Sequence, residues 1–138
     1  FPMRAEAMAE AAQPNASVVM GAPNVLRGGS HNGSLDATAA VADGRCTVLA
    51  SDYYYPAQAL AAFRLTREGI RDLAAAWALV SRNPAQAAGL GDRGDIAPGR
   101  PADLVLIDPG PEQVPRVVAT IVRGRLVHVA GDAWRFAA

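Results

Sequence analysis

The chain has 138 residues, and its 13 basic and 13 acidic side chains give a formal net charge of zero, which excludes strong electrostatic attraction to nucleic acid or to an anionic membrane. Its single cysteine excludes a disulfide framework and favours a reducing cytoplasm. No apolar run approaches the roughly 20 residues of a membrane-spanning helix, and no signal peptide is visible. The length suffices for one domain with a core, but the sequence begins with Phe1-Pro2 rather than Met, so we expect a piece of a longer protein.

Hydrophobic and alanine-rich runs predict an α/β arrangement in the first part of the chain. In order, the predicted elements are a helix over residues 3–12, a strand over 17–20, a helix over 35–42, a strand over 47–50, and helices over 56–67, 73–81 and 85–88, the last capped by Asn83. Both strands are short, apolar and non-alternating, and a helix separates them. This order is typical of a βαβ unit, so we expect parallel strands joined by a right-handed crossover.

Beyond residue 90 the sequence becomes rich in turns and strands. The predicted strands cover residues 102–108, 117–122 and 126–129. The turn Arg123-Gly124-Arg125 joins the last two strands tightly, which is typical of a β-hairpin. We therefore expect two domains, an α/β part over residues 1–90 and a small β part over residues 91–138.

Residues 47–56 contain the first candidate catalytic group. Asp52 stands where the second predicted strand gives way to the next helix. Catalytic residues of α/β enzymes gather at this end of the strands, where a carboxylate can bind a metal ion or take a proton from water. The alternative is structural, with Asp52 or Ser51 only capping the next helix.

Residues 25–34 form a second candidate site. This stretch places three glycines, Arg27 and His31 among small polar residues. Glycines let backbone N–H groups approach an anion, and an arginine fork matches a phosphate group. The Gly-Lys-Ser/Thr ending of a Walker motif is absent. An ordinary flexible loop is the alternative, because Gly, Ser and Asn are also common in loops.

Four runs together resemble the C-terminal part of an amidohydrolase-superfamily enzyme. They cover residues 20–33, 49–54, 83–90 and 92–105. The Asn83-Pro84-Ala85 start of the third run and the Gly-x-Ile-x-Pro-Gly-x-x-Ala-Asp-Leu-Val pattern of the fourth are shared widely across that superfamily. The first run is similar to a narrower, phosphonate-metabolism branch, the α-D-ribose 1-methylphosphonate 5-triphosphate diphosphatases of the carbon–phosphorus lyase pathway. The resemblance extends to about Val129.

The resemblance implies a (β/α)8, or TIM, barrel with a small β-sandwich domain built from both chain ends. Such a barrel alone needs about 250 residues, so this chain would supply only the last two β/α units, over residues 1–90, and the C-terminal strands of the β domain, over residues 91–138. The His-x-His ligands, the bridging residue and the later metal histidines of the family are absent from it. We therefore expect the chain to be inactive alone, and to have a missing N-terminal part or a second copy as its partner.

The function implied is that of a metal-dependent hydrolase of phosphonate catabolism, which releases diphosphate from a ribosyl triphosphate. Asp52 matches the family's aspartate after strand eight, a metal ligand and general base of a divalent metal centre for which we expect zinc. The expected substrate-binding residues are Arg27, Gly28, Gly29, Ser30, His31 and Asn32.

Two alternatives remain open. One is an amidohydrolase that cleaves a C–N bond in a cyclic amide or an N-acyl amino acid. Arg27 argues against a neutral substrate of this kind, which needs no arginine in a glycine-rich loop. The other is a non-catalytic interaction domain, against which the strand-end Asp52 argues.

Overall fold

The structure is a computed structural model, and it describes residues 6–7, 16–28, 35–110 and 114–131. The elements in these ranges are β1 (Val19–Gly21), α1 (Ala22–Arg27), α2 (Ala37–Ala42), β2 (Val48–Ala50), α3 (Ala57–Arg67), α4 (Leu73–Ala78), α5 (Arg82–Ala87), β3 (Leu104–Asp108), β4 (Arg116–Val122) and β5 (Arg125–Val129). No helix in the described ranges is long and apolar enough to cross a membrane.

Strands β1 and β2 form a two-stranded parallel sheet, with Met20 opposite Leu49. Helix α2 lies between them in the chain, and Asp36 caps it by accepting hydrogen bonds from the backbone N–H groups of Thr38 and Ala39. The predicted parallel pairing is confirmed. These two strands and the antiparallel sheet described below do not amount to a complete barrel among the described residues, so the structure shows a mixed α/β fragment.

The core lies in the α/β part of the chain. Leu49, Leu65, Val25 and Val41 are its largest fully buried side chains, and alanines bury the inner face of α3. Because these side chains are small, the backbone of α3 can approach its neighbours closely and make many van der Waals contacts with them. In the described β part only Ala119 is buried, and apolar residues such as Ile96, Leu126 and Val127 are largely exposed.

Strands β3, β4 and β5 form an antiparallel sheet in that order. A turn at Arg123-Gly124 joins β4 to β5, with φ angles of 48° and 75° at its two residues. Positive φ at both central residues is the pattern of the primed turns that suit the twist of a hairpin. The predicted hairpin is thus confirmed, with each strand beginning one residue earlier than expected.

Three predictions about the helical segments need correction. Residues 22–27, predicted as a strand end followed by a loop, form α1, because Pro23 fits the first turn of a helix and Gly28 ends it with a left-handed φ of 74°. Helix α4 ends at Ala78 rather than at residue 81. Asn83 is not an N-cap: α5 begins at Arg82, and the Asn83 side-chain amide instead donates to the Thr47 carbonyl at 2.8 Å. Of the helix predicted over residues 3–12, only residues 6–7 are described, and they are helical.

Candidate active site

The C-terminal ends of β1 and β2 define the candidate site. Because the two strands are parallel, Gly21 at the end of β1 and Ala50 at the end of β2 lie at the same edge of the sheet. Asp52 follows two residues after Ala50, in a turn that the Tyr54 N–H closes by donating to the Ser51 carbonyl at 3.1 Å. The turn therefore presents the Asp52 carboxylate beyond the ends of both strands.

Asp52 has a left-handed backbone conformation, with φ of 55°. Residues other than glycine rarely adopt this conformation, and they cluster at functional sites when they do. The same side chain lies against Gly21: a methyl group at position 21 would stand 3.4 Å from Asp52 Oδ2. The Asp52 carboxylate therefore lies directly beside the end of β1, within van der Waals reach of a side chain at position 21.

The capping alternative for Asp52 is wrong. Helix α3 starts after Pro56, and no side chain caps its N-terminus. Asp52 is exposed, and within the described part of the chain its carboxylate takes part in no hydrogen bond or ion pair. A solvent-facing carboxylate without a local structural task is available as a ligand or a base.

Arg27 is the last residue of α1 and reaches toward the same edge. Its Nη1 atom donates a hydrogen bond to the hydroxyl of Tyr53, the residue directly after Asp52. Gly28 follows as the left-handed C-cap, so the chain turns away from the helix immediately after Arg27. The predicted substrate contacts Gly29, Ser30, His31 and Asn32 lie outside the described residues.

Tyr53 also lies at the candidate site, and the sequence analysis did not single it out. It is 69% exposed, and its hydroxyl links the turn after β2 to the end of α1. The run of three tyrosines directly after Asp52 was the available signal, since aromatic residues with a polar tip are common at binding surfaces. The pairing with Arg27, 26 residues earlier in the chain, had no signal in the sequence.

The resolved pKa shifts lie away from this edge. Cys46 precedes β2, at the opposite end of that strand from Asp52, and burial raises the pKa of its thiol from 9.0 to about 11. In the turns after α5, the side-chain hydrogen bond from Arg93 lowers the pKa of the exposed Asp92 carboxyl. Neither group contributes an activated nucleophile or base.

A metal centre would need more ligands than the described ranges contain. No group of three or more His, Cys, Asp or Glu side chains comes together there. A catalytic metal ion usually takes about three protein ligands, and Asp52 fits one such position by its carboxylate chemistry and exposure. The described part of this edge therefore presents one exposed carboxylate, Asp52, and one cation, Arg27.

Comparisons with known proteins assign the chain to a family. The model of the Amidohydrolase family matches residues 31–128, a range that contains Asp52 but not Arg27. Over 109 residues, the chain is 46% identical to the Alpha-D-ribose 1-methylphosphonate 5-triphosphate diphosphatase of Escherichia coli (strain K12). The aligned region is 77% of this chain and 29% of that relative, so the chain spans about 29% of the length of the curated relative it matches. With more than half of its residues matched by the family model, the chain belongs to the amidohydrolase family.

Proposed function

We propose that the protein containing this chain is a metal-dependent hydrolase that releases diphosphate from α-D-ribose 1-methylphosphonate 5-triphosphate. The 46% identity to the Escherichia coli diphosphatase supports this substrate. The observation that carries the chemistry is the Asp52 carboxylate, unpartnered among the described residues and exposed in a left-handed turn at the C-terminal edge of two parallel strands.

The proposed architecture is a barrel with an added β domain. Residues 1–90 would form its last two β/α units, and residues 91–138 would contribute strands to the small β domain. The parallel pair β1–β2 with Asp52 at its C-terminal edge supports the first assignment, since barrel active sites occupy that edge. The separate antiparallel sheet supports the second.

We propose zinc as the divalent metal, with Asp52 as one of its ligands and the other ligands outside the described residues. Such a metal, when bound, makes water acidic enough to give a nucleophile at neutral pH. Asp52 would accept the proton of the attacking water at a carboxylate oxygen. We expect the protein to work in the cytoplasm, and the buried thiol of Cys46 is compatible with a reducing compartment.

Arg27 is proposed to bind the phosphate oxygens of the triphosphate. One of its N–H groups donates a hydrogen bond to the Tyr53 hydroxyl, and the remaining donors of the guanidinium group can face an anion. The Tyr53 oxygen already accepts from Arg27, so its own hydrogen can point outward to a second phosphate oxygen. Arg27 and Tyr53 together would hold the substrate's charge next to the carboxylate that activates water.

The test is steady-state kinetics of diphosphate release by the full-length, metal-loaded protein. We expect Asp52→Asn to lower kcat by at least about 10²–10⁴-fold, because a general base is removed. Arg27→Ala should weaken binding of the triphosphate by about 2–5 kcal/mol, and Arg27→Lys by less, since Lys keeps the charge but loses the fork. Asp43→Asn and Arg45→Ala are matched controls, because this exposed ion pair lies between α2 and the start of β2, at the opposite end of β2 from Asp52.

Two results would overturn the proposal. Wild-type kinetics in Asp52→Asn would remove Asp52 from the reaction. Hydrolysis of cyclic amides or N-acyl amino acids without any diphosphate release from the ribosyl triphosphate would move the protein to the C–N-cleaving part of the family.

A further inference from the structure

Arg64 on α3 connects to the end of α1 that carries Arg27. Its Nη1 atom donates to the carbonyl of Leu26, the residue before Arg27, across 38 positions of sequence. Its Nε atom donates to Glu68 Oε1 at 2.6 Å, one helical turn further along α3. The Arg64 side chain is only 27% exposed, so it is part of the packed interface between the two helices and not a free surface cation.

Gly28 completes this contact. A methyl group at position 28 would stand 3.2 Å from Arg64 Nη2, and the φ of 74° already disfavours any other residue there. All three nitrogens of the Arg64 side chain are therefore engaged or packed: one on Glu68, one on Leu26 and one against Gly28. A lysine has a single ammonium group and cannot reproduce this bridge.

The end of α1 needs such support. The last carbonyls of a helix have no partner within the helix, and a helix of six residues is not stable by itself. Arg64 supplies both a donor for a carbonyl in the last turn and a cation where the helix favours positive charge. The conformation of this last turn sets the direction in which the Arg27 side chain extends from α1.

We propose that Arg64 is a positioning residue: by holding the last turn of α1, it sets where Arg27 presents its guanidinium to the phosphate oxygens of the substrate. This inference rests on the proposed function. Arg64 itself does not touch the substrate, and its effect passes through Arg27.

The chain contains a matched control for this role. Arg71 holds the end of α2 in the same way, with Nη2 donating to the Val41 carbonyl at 2.6 Å and to the Ala42 carbonyl at 3.3 Å. It also packs against a left-handed glycine, Gly44, whose added methyl would stand 3.7 Å away. Helix α2 ends before β2 begins, at the opposite end of that strand from Asp52, so Arg71 is a structural counterpart without a link to the site.

The experiment compares Arg64→Ala, Arg64→Lys and Arg71→Ala in the full-length, metal-loaded protein, with the ribosyl triphosphate as substrate. We expect Arg64→Ala to raise KM by about 5- to 30-fold with kcat within about twofold, and Arg64→Lys to recover part of the loss. Arg71→Ala should lower the unfolding temperature by about as much as Arg64→Ala does, but it should leave KM unchanged. Equal kinetic effects of Arg64→Ala and Arg71→Ala would show a merely structural role and overturn the proposal.

A double variant separates positioning from direct contact. If Arg64 acts through Arg27, then Arg27→Ala combined with Arg64→Ala should have the KM of Arg27→Ala alone. Multiplying effects would mean that Arg64 binds substrate independently, which overturns the positioning role but leaves the proposed function in place. If Arg64→Ala does not fold, Arg64→Lys takes its place in this cycle.

The same cycle can be run without turnover, by calorimetric titration with inorganic triphosphate. If the wild-type protein releases no diphosphate, the proposed function fails, and this titration still decides the role of Arg64. Weaker anion binding in Arg64→Ala that disappears in the Arg27→Ala background supports positioning. Unchanged anion binding in Arg64→Ala overturns it.

Discussion

Replacing Asp52 should separate the stability of the fold from the activity of the site. The backbone at this residue has a φ of 55°, which costs an ordinary residue about 1–2 kcal/mol, although a short polar side chain such as Asp or Asn reduces the cost by local hydrogen bonding. Glycine carries no such cost in the folded state, but it gives the unfolded chain more conformational entropy, which lowers the stability by about 0.4–1 kcal/mol. We therefore expect Asp52→Gly to be as stable as the wild type or up to about 1 kcal/mol more stable. Asp52→Asn should be as stable as the wild type, and Asp52→Ala should be about 1 kcal/mol less stable than the wild type.

The assay is denaturant unfolding of the metal-free protein, followed by kinetics of the metal-loaded form. Metal must be absent from the first measurement, because a metal bound by wild-type Asp52 would add stability that the variants lack. Arg123 provides a matched control, since it has a φ of 48° in the hairpin turn, far from β1 and β2 in the chain. Arg123→Gly should show the same small gain in stability while keeping full activity.

At position 52, the glycine variant should therefore be stable but inactive, whereas Arg123→Gly should be both stable and active. If Asp52→Ala is as stable as Asp52→Gly, the turn imposes no left-handed conformation and the reasoning from backbone strain is refuted. If Asp52→Gly retains activity, the carboxylate is not the base. The expected outcome, a stable and inactive glycine variant, is the trade-off that a strained catalytic residue predicts.

Three further predictions concern the stability of the fold around the site and in the β part. Burial raises the pKa of Cys46 from 9.0 to about 11, so its neutral thiol stabilises the fold fully below pH 9, and this contribution should be lost as the pH rises to 11. A Cys46→Ala variant should lack this alkaline loss of stability in unfolding experiments. The native thiol should also resist a disulfide reagent until the protein unfolds. Leu65→Ala should lower the free energy of unfolding by about 2–5 kcal/mol, because this fully buried side chain leaves a cavity, and a loss below 1 kcal/mol would mean that the α3 interface collapses to fill it. Asp103→Ala should cost about 1 kcal/mol by removing the acceptor of the Arg123 N–H bond at 2.8 Å, and Asp103→Asn should cost less; equal losses would show that the negative charge matters more than the acceptor.

The regular elements that give a local signal were predictable from the sequence. Both parallel strands and the hairpin were placed within two residues of their observed starts. Helix α1 was not, because a six-residue segment beginning Ala-Pro-Asn has the composition of a turn and is helical here through tertiary contacts. Val25 is fully buried, and the Asn24 side chain donates to the Leu35 carbonyl at 3.1 Å while accepting from the Ala37 N–H at 3.0 Å. Long-range contacts of this kind override local propensity and leave no periodic pattern.

The candidate site shows the same division. The position of Asp52 after a buried strand was enough to predict which edge of the sheet it occupies. Its left-handed backbone was not predictable, since nothing in Ser51-Asp52-Tyr53 requires positive φ as a glycine would. The contacts of Arg27 with Tyr53, and of Arg64 with the end of α1, join residues 26 and 38 positions apart, so only the folded chain brings them together.

The run over residues 92–105, one of the four runs on which the family resemblance was based, also has a structural role. Gly94 lies directly on α5: an added methyl would stand 2.9 Å from both Arg82 Cα and Ala85 Cβ, and the φ of 94° excludes other residues independently. The Ser81 hydroxyl donates to the Gly94 carbonyl at 2.9 Å, and Arg82 pairs with Asp95 at 2.5 Å. The run therefore attaches the start of the antiparallel sheet to α5, whose Asn83 in turn bonds the backbone just before β2. This turn-rich run thus joins the β part to α5, and through Asn83 to the backbone just before β2, the strand that precedes Asp52.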